Sequence, residues 1–505
     1  MKLKNSIIAA WALVLGIGAS SCSDWLDYTP KDKQSYEQQF SSEGGFHNAL
    51  NGVYNLLSDN KLYGKNLSYG AIEVMACCYN IPTTNTTYTS LFNANYAEAK
   101  AAALLEEIWS GSYNAILNVN LLFQALEENP GVLKSDDAKL IEGELYGLRG
   151  FLHFDLLRLF GSAFSVDPDG AGIPYSDSPV IENRERMTSK AALFDKILPD
   201  LNKAQEILKE CDPVLSGSAL ASSGTVTEGN WNRYRQLRMN YYAVTLTKAR
   251  AYLWAGDYAN ALTEAKKITD DPKAAQAFPW VDPSRVLGNS INPDRIFSSE
   301  CIFGFYNAGL SNVYSENFAG TLNRNDILQP GMQYTTLLFM GNAADYRMQT
   351  QWATSASATG DYDFVKYRSF TANEDNPEFW ATFYGLMRTS EAYLIASEAC
   401  AMTGDMTNAV NYLNEVRTHR GEQAYTPEMM PMAQLLIPEV KYEYNRDLRG
   451  EGQLFFLFKR FQQMFGSYLG GDYLLDGSLQ NMMVDLTYYS QLNRYDVPIP
   501  ASETF

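Results

Sequence analysis

The sequence predicts a mainly α fold, built of tetratricopeptide-like helical hairpins with long inserted loops forming the ligand face. Past residue 30, apolar residues recur at helical spacing, strand-like alternation is sparse, and a short helical-hairpin motif occurs twice. Phe46, Leu50, Val53, Tyr54 and Leu57 lie on one face of a first helix. Leu145, Leu148, Leu152, Leu156 and Leu159 form a second stripe, stopped by Gly161. Phe194, Ile197, Leu201, Ala204 and Leu208 form a third. The repeated motif reads GDYANA at 256–261 and GDMTNA at 404–409, each between two helical segments. A Gly-Asp turn followed by a helix with an early alanine suits a hairpin whose helices approach closely. The copies are not contiguous, so the expectation is separate hairpins with long connections, not a regular solenoid.

The N-terminus sets the compartment. Lys2 and Lys4 precede an unbroken apolar run over residues 7–18. As a helix this run rises about 18 Å, short of a hydrocarbon core of about 30 Å, and it fits the apolar core of an export signal. Ala19-Ser20-Ser21 then lead to Cys22, which resembles the lipobox of bacterial lipoproteins, with Ala19 where a larger aliphatic residue is usual. The expectation is a signal peptide over 1–21 and acylation of Cys22, which holds a protein on a bilayer when two or more chains are attached. Ordinary secretion with cleavage near Ser21 is the alternative.

Composition narrows the functions available. The net charge of −18 repels phosphate backbones, which argues against nucleic acid as a partner. Three histidines (His47, His153 and His419) are scattered and read as structural, leaving little for a zinc site. Cys77, Cys78, Cys211, Cys301 and Cys400 show no disulfide spacing, and the adjacent pair reads as two small buried hydrophobes. Asp167, Asp169 and Gly170 match the start of a calcium loop, but position 178 is Ser178 where a glutamate is needed, so a turn is expected. There is no phosphate-binding loop motif, and no cofactor is expected.

The loops carry an unusual aromatic load. Residues 79–97 are almost uncharged and crowded with Asn, Thr and Tyr; residues 276–320 hold Trp280, Phe305, Tyr306 and Tyr314; residues 345–380 hold Trp352, Tyr362, Tyr367 and Trp380. Loops of this length inside a compact domain are functional or disordered, and their aromatic content argues against disorder.

Ordered motifs over nearly the whole chain resemble the SusD/RagB family of nutrient-uptake lipoproteins of Bacteroidota. They begin with Cys22 to Asp27 and Pro30, then Ala49 to Tyr54, then Arg149 to Gly161 with Phe151, Phe154 and Asp155. Arg388, Glu391, Leu394, Ala396, Glu398 and Ala399 follow, then Leu413 to Arg417 with Arg420-Gly421. Glu443, Arg446, Leu448, Glu451-Gly452, Lys459-Arg460, Pro498 to Pro500 and Glu503 close the series. Where the family usually has Arg and Asp three residues apart, this chain has Leu454 and Leu457, a double change expected to be core variation.

The resemblance implies an N-terminal region over 22–230 and a C-terminal region over 231–505 with an insertion at about 276–380. It also implies a non-catalytic, outward-facing outer-membrane lipoprotein that pairs with a SusC-type TonB-dependent transporter. Many relatives bind glycans, and RagB-like members bind peptides. Sugar C–H faces pack on aromatic rings while hydroxyls need polar partners, so the expected ligand residues are Tyr79, Asn80, Tyr88, Asn95, Tyr96, Trp280, Tyr306, Tyr314 and Trp352. Two readings compete with oligosaccharide capture. One is peptide capture by the Asn- and Thr-rich 79–97 loop. The other is a helical glycosidase, which needs two carboxylates across a cleft; Glu142, Glu144, Glu391 and Glu398 read as scaffold instead.

Overall fold

In the computed structural model the described residues are 36–180, 185–220, 231–287, 293–323, 325–330, 338–339, 342–355, 362–368, 382–462 and 494–503. Cys22 and Trp380 lie outside them. The principal helices are α1 (Glu43–Leu57), α2 (Ala99–Glu128), α3 (Ser135–Phe160), α4 (Leu198–Cys211), α5 (Tyr241–Trp254), α6 (Tyr258–Thr269), α7 (Thr389–Met402), α8 (Met406–Thr418), α9 (Ala433–Asp447) and α10 (Leu454–Phe461). Each of α1 to α7 packs on the helix that follows it, and α7 also packs on α9. The mainly α, tetratricopeptide-like architecture read from periodicity is therefore the observed one. Two antiparallel strand pairs accompany it. β1 (Cys301–Tyr306) pairs with β4 (Phe383–Arg388), placing Tyr306 opposite Phe383, and β2 (Trp352–Thr354) pairs with β3 (Tyr362–Phe364).

The first two stripes bury completely, in α1 and α3. The third departs at its start. Phe194 is 39% exposed because residues 192–197 form a π-helical turn, whose extra residue rotates it off the face kept by Ile197, Leu201, Ala204 and Leu208. Leu454 and Leu457 are both buried in α10, consistent with core variation.

The repeated hexapeptides superpose in chemistry as well as in sequence. Gly256 and Gly404 turn the chain at φ +73° and +89°, the left-handed region where a side chain is strained. Asp257 and Asp405 then cap α6 and α8, accepting from the Asn260 and Asn408 backbone N–H groups at 3.1 and 3.2 Å. Ala261 and Ala409 are fully buried where the paired helices meet. Asp405→Ala is expected to lower stability by about 1 kcal/mol, read as a shift of the chemical denaturation midpoint.

Charge is buried on a large scale. Arg250 pairs with Glu391, and Arg460 with Glu398, both largely out of solvent. A denser network joins Glu300, Arg347, Arg388, Arg417, Arg420, Glu443, Arg446, Asp447 and Glu451. Many residues that carry the family resemblance are thus scaffold ion pairs. At the C-terminus, Glu503 accepts from the Trp109 indole N–H at 2.7 Å, fastening the chain end to α2. Asp167 to Gly170 is a turn, closed by the Gly170 N–H on the Asp167 carbonyl at 3.2 Å. Cys77 and Cys78 are buried, and burial pushes both thiols above their ordinary value. Among the described residues no helix is long and apolar enough to cross a membrane, and no three metal-ligating side chains converge.

Candidate functional site

A cleft of about 350 Å³ opens between α1, the segment 231–238 that leads into α5, and the end of β1. That volume lies within the usual range of small-ligand pockets. Trp231, Arg233, Tyr234, Leu237 and Arg238 line one wall; Asn51, Tyr54 and Asn55 line the second; Phe305 and Tyr306 form the third.

The wall 231–238 is held from behind. Its 3₁₀ turn, Arg235–Leu237, sends Arg235 inward, where it is fully buried and pairs with Asp212 through Nε and Nη2 at 2.9 and 3.0 Å and with Glu144 at 2.7 Å. Asp212 also accepts from the Tyr241 N–H at 2.8 Å, tying this wall to the start of α5. Tyr54 donates to Glu144 at 2.6 Å and accepts from the Met239 N–H at 2.8 Å, joining α1 to the same carboxylate. Trp231 stacks on His47, with centroids 4.5 Å apart and planes 17° apart, and burial pushes that histidine below its ordinary value. Arg238 lies over the Tyr54 ring at 4.9 Å and donates to the Asn51 Oδ1 at 2.5 Å and the Trp231 carbonyl at 3.0 Å.

Among the aromatic residues of this lining Tyr306 is the exposed one, 56% open to solvent at the cleft mouth. The arrangement offers aromatic surface, amide groups and guanidinium donors, and the described lining holds no carboxylate to act as acid, base or metal ligand. A second opening of about 360 Å³, at the α2–α3 turn, includes Phe123, Tyr146, Glu127 and Glu142.

Of the nine residues expected to bind ligand, only Tyr306 reaches this cleft. Tyr79, Tyr88, Tyr96 and Trp352 occupy core positions instead of open ones. An uncharged loop buries its rings because each aromatic removes about 150–250 Å² from water. Their hydroxyls follow when a backbone carbonyl is within reach: Tyr79 donates to the Tyr69 carbonyl at 2.8 Å and Tyr96 to that of Arg494 at 2.5 Å. Trp352 packs edge-on against Phe339 and tilted against Phe364. Trp280 is half-buried and stacked on His419 at 4.4 Å, away from the cleft lining. Tyr314 accepts from Arg368 at 3.0 Å. Asn80 and Asn95 have exposed side chains, and the Asn80 N–H donates to the Gln329 carbonyl at 2.8 Å, which brings the 79–97 loop against the segment around residue 329. Trp231, Arg233, Tyr234 and Arg238 escaped the sequence reading. The available signal was three arginines and two aromatics within residues 231–238 of an acidic chain.

Two family profiles match, one described as SusD-like, starch-binding and associating with the outer membrane over residues 24–216, the other as the SusD family over residues 317–503. The chain belongs to the SusD/RagB family. SusD-like protein P38 of Formosa agariphila is 21% identical over 83% of both chains. SusD-like protein P25 of the same organism is 22% identical over 60% of this chain, and the match spans about half of P25 (51%). Among solved structures, a SusD superfamily protein from Bacteroides thetaiotaomicron aligns over 92% of this chain and 97% of its own, at 20% identity and TM-score 0.68. A SusD-like carbohydrate binding protein from Bacteroides vulgatus aligns over 84% of each chain, at 21% identity and TM-score 0.62. These likenesses establish that the fold is that of the SusD superfamily.

Proposed function

We propose that this chain is a lipid-anchored protein on the outer face of the outer membrane. It captures an oligosaccharide and hands it, chemically unchanged, to a SusC-type TonB-dependent transporter. The observation that carries the reading is the exposed Tyr306 ring at the mouth of a cleft rimmed by amide and guanidinium groups. A sugar needs such a combination, with C–H faces on the ring and hydroxyls on the polar rim. The family description as starch-binding and the naming of the Bacteroides vulgatus neighbour as a carbohydrate binding protein support the ligand class. Anchoring rests on Cys22 behind its apolar run, and outer-membrane association on the family description.

Capture without cleavage is supported by where the carboxylates go. A glycosidase needs two free carboxyl groups across its cleft. Here Glu144 is engaged by Arg235 and Tyr54, Glu391 by Arg250, and Glu398 by Arg460, while Glu142 lies at the second opening and not in this cleft.

Calorimetric titration of the full-length protein in detergent tests the reading, with oligosaccharide and peptide mixtures as separate arms. Saccharide binding is expected, and Tyr306→Ala is expected to weaken it about tenfold while leaving the unfolding midpoint in place, since the ring is exposed. Peptide binding with no saccharide binding, or reducing ends released from a bound saccharide, would overturn it.

A further inference from the structure

We infer that the cleft selects saccharides bearing an anionic substituent, a carboxylate or a sulfate ester, over neutral ones. The inference rests on the saccharide-capture reading and deepens it. Arg238 is only 8% exposed, and its Nη1 has no hydrogen-bond partner among the described residues. Arg233 is in the same position at Nε and Nη1, both out of solvent contact. Leaving guanidinium N–H groups buried and unmatched is costly, and the cost is recovered when an oxyanion arrives to accept from them. Both side chains line the cleft, and no described lining residue is acidic.

That local balance runs against the whole molecule, which has 58 acidic and 40 basic residues. The carboxylates behind this wall do not supply the missing acceptors, because Asp212 and Glu144 are engaged by Arg235. Arg238 Nη2 is satisfied by Asn51 and the Trp231 carbonyl, which fixes the guanidinium plane in the wall of the cleft that this side chain lines. Arginine presents a planar fork matched to two oxygens of one anionic group, so a carboxylate and a sulfate ester meet the same recognition chemistry. The Tyr306 ring at the mouth then serves the sugar ring that bears the group.

The test titrates the full-length protein in detergent against neutral oligosaccharides, oligouronides and sulfated oligosaccharides, at about 0.02 M and about 0.5 M salt, where screening differs several-fold in length. At least one anionic panel is expected to bind about tenfold tighter than the neutral panel at low salt, with the advantage shrinking at high salt. Arg233→Gln is expected to reduce the anionic-to-neutral preference about tenfold. Arg238→Lys, which keeps the charge and loses the fork, is expected to reduce it in the same direction. Equal affinity for neutral and anionic sugars, unmoved by salt or by Arg233→Gln while Tyr306→Ala still weakens binding, would overturn this inference and leave the capture reading standing. Absence of binding by every panel would overturn both.

Discussion

Asp447→Ala is expected to destabilise the protein by about 3–5 kcal/mol, the cost of stripping a partner from a buried ion network. Asp447 ends α9 with no exposure, and three arginines from separate segments converge on it. Arg420, just past α8, donates at 2.7 Å; Arg388, at the end of β4, lies at 2.8 Å; Arg347, in the short helix Tyr346–Gln351, lies at 3.3 Å. Ser390 of α7 adds a hydroxyl donor at 2.6 Å. Removing the carboxylate leaves guanidinium charge buried with less to answer it, which costs more than the pair itself contributes. Asp447→Asn keeps the volume and loses the charge, so its loss should approach that of Asp447→Ala. Burial alone would raise this carboxyl, but Arg388, Arg420 and Arg347 together hold it well below the usual aspartate value. With the folded value depressed, its contribution is complete above the ordinary value of 3.8 and fades as pH falls through the lower folded value. Chemical denaturation at neutral pH and in acid measures both effects. A neutral-pH loss under about 1 kcal/mol would remove the network from its place as the tie between the Arg347 segment and the helical hairpins.

The helices were legible because burial in a helix leaves a period in the sequence. The α1 and α3 stripes, the stop at Gly161 and the two Gly-Asp caps needed only local rules. The ion network was not legible, because its partners lie far apart in the chain, as with Arg250 and Glu391, separated by 141 positions. A lone buried arginine looks the same in sequence as an exposed one. The aromatic loops failed for a related reason. In these segments no period separates a ring that faces solvent, such as Tyr306 at the end of β1, from one that fills the core, such as Tyr79. Within 231–238, three arginines look equivalent until the 3₁₀ turn separates them. Arg235 goes to the carboxylates behind, while Arg233 and Arg238 stay on the cleft.

That division makes Arg235→Ala the second large effect. The side chain has no exposure, and removing it leaves Asp212 and Glu144 buried without their shared cation, a loss expected at about 3–5 kcal/mol. Burial opposes the guanidinium charge, yet Asp212 and Glu144 more than offset it and hold its pKa above the ordinary value. The same two acids reach the rest of the cleft, since Asp212 accepts from the Tyr241 N–H and Glu144 from the Tyr54 hydroxyl. The variant should therefore loosen both flanking walls as well as lower the denaturation midpoint. Arg235→Lys restores a charge without the two-pronged contact to Asp212, so it should recover part of the stability and little of the fit. Saccharide affinity per folded molecule, measured well below the unfolding transition, separates the two consequences. If Arg235 serves only the core, folded Arg235→Lys binds as the unaltered protein does. If it fixes the wall in advance of the ligand, affinity falls in that variant too, because the segment must then be ordered at the moment of binding.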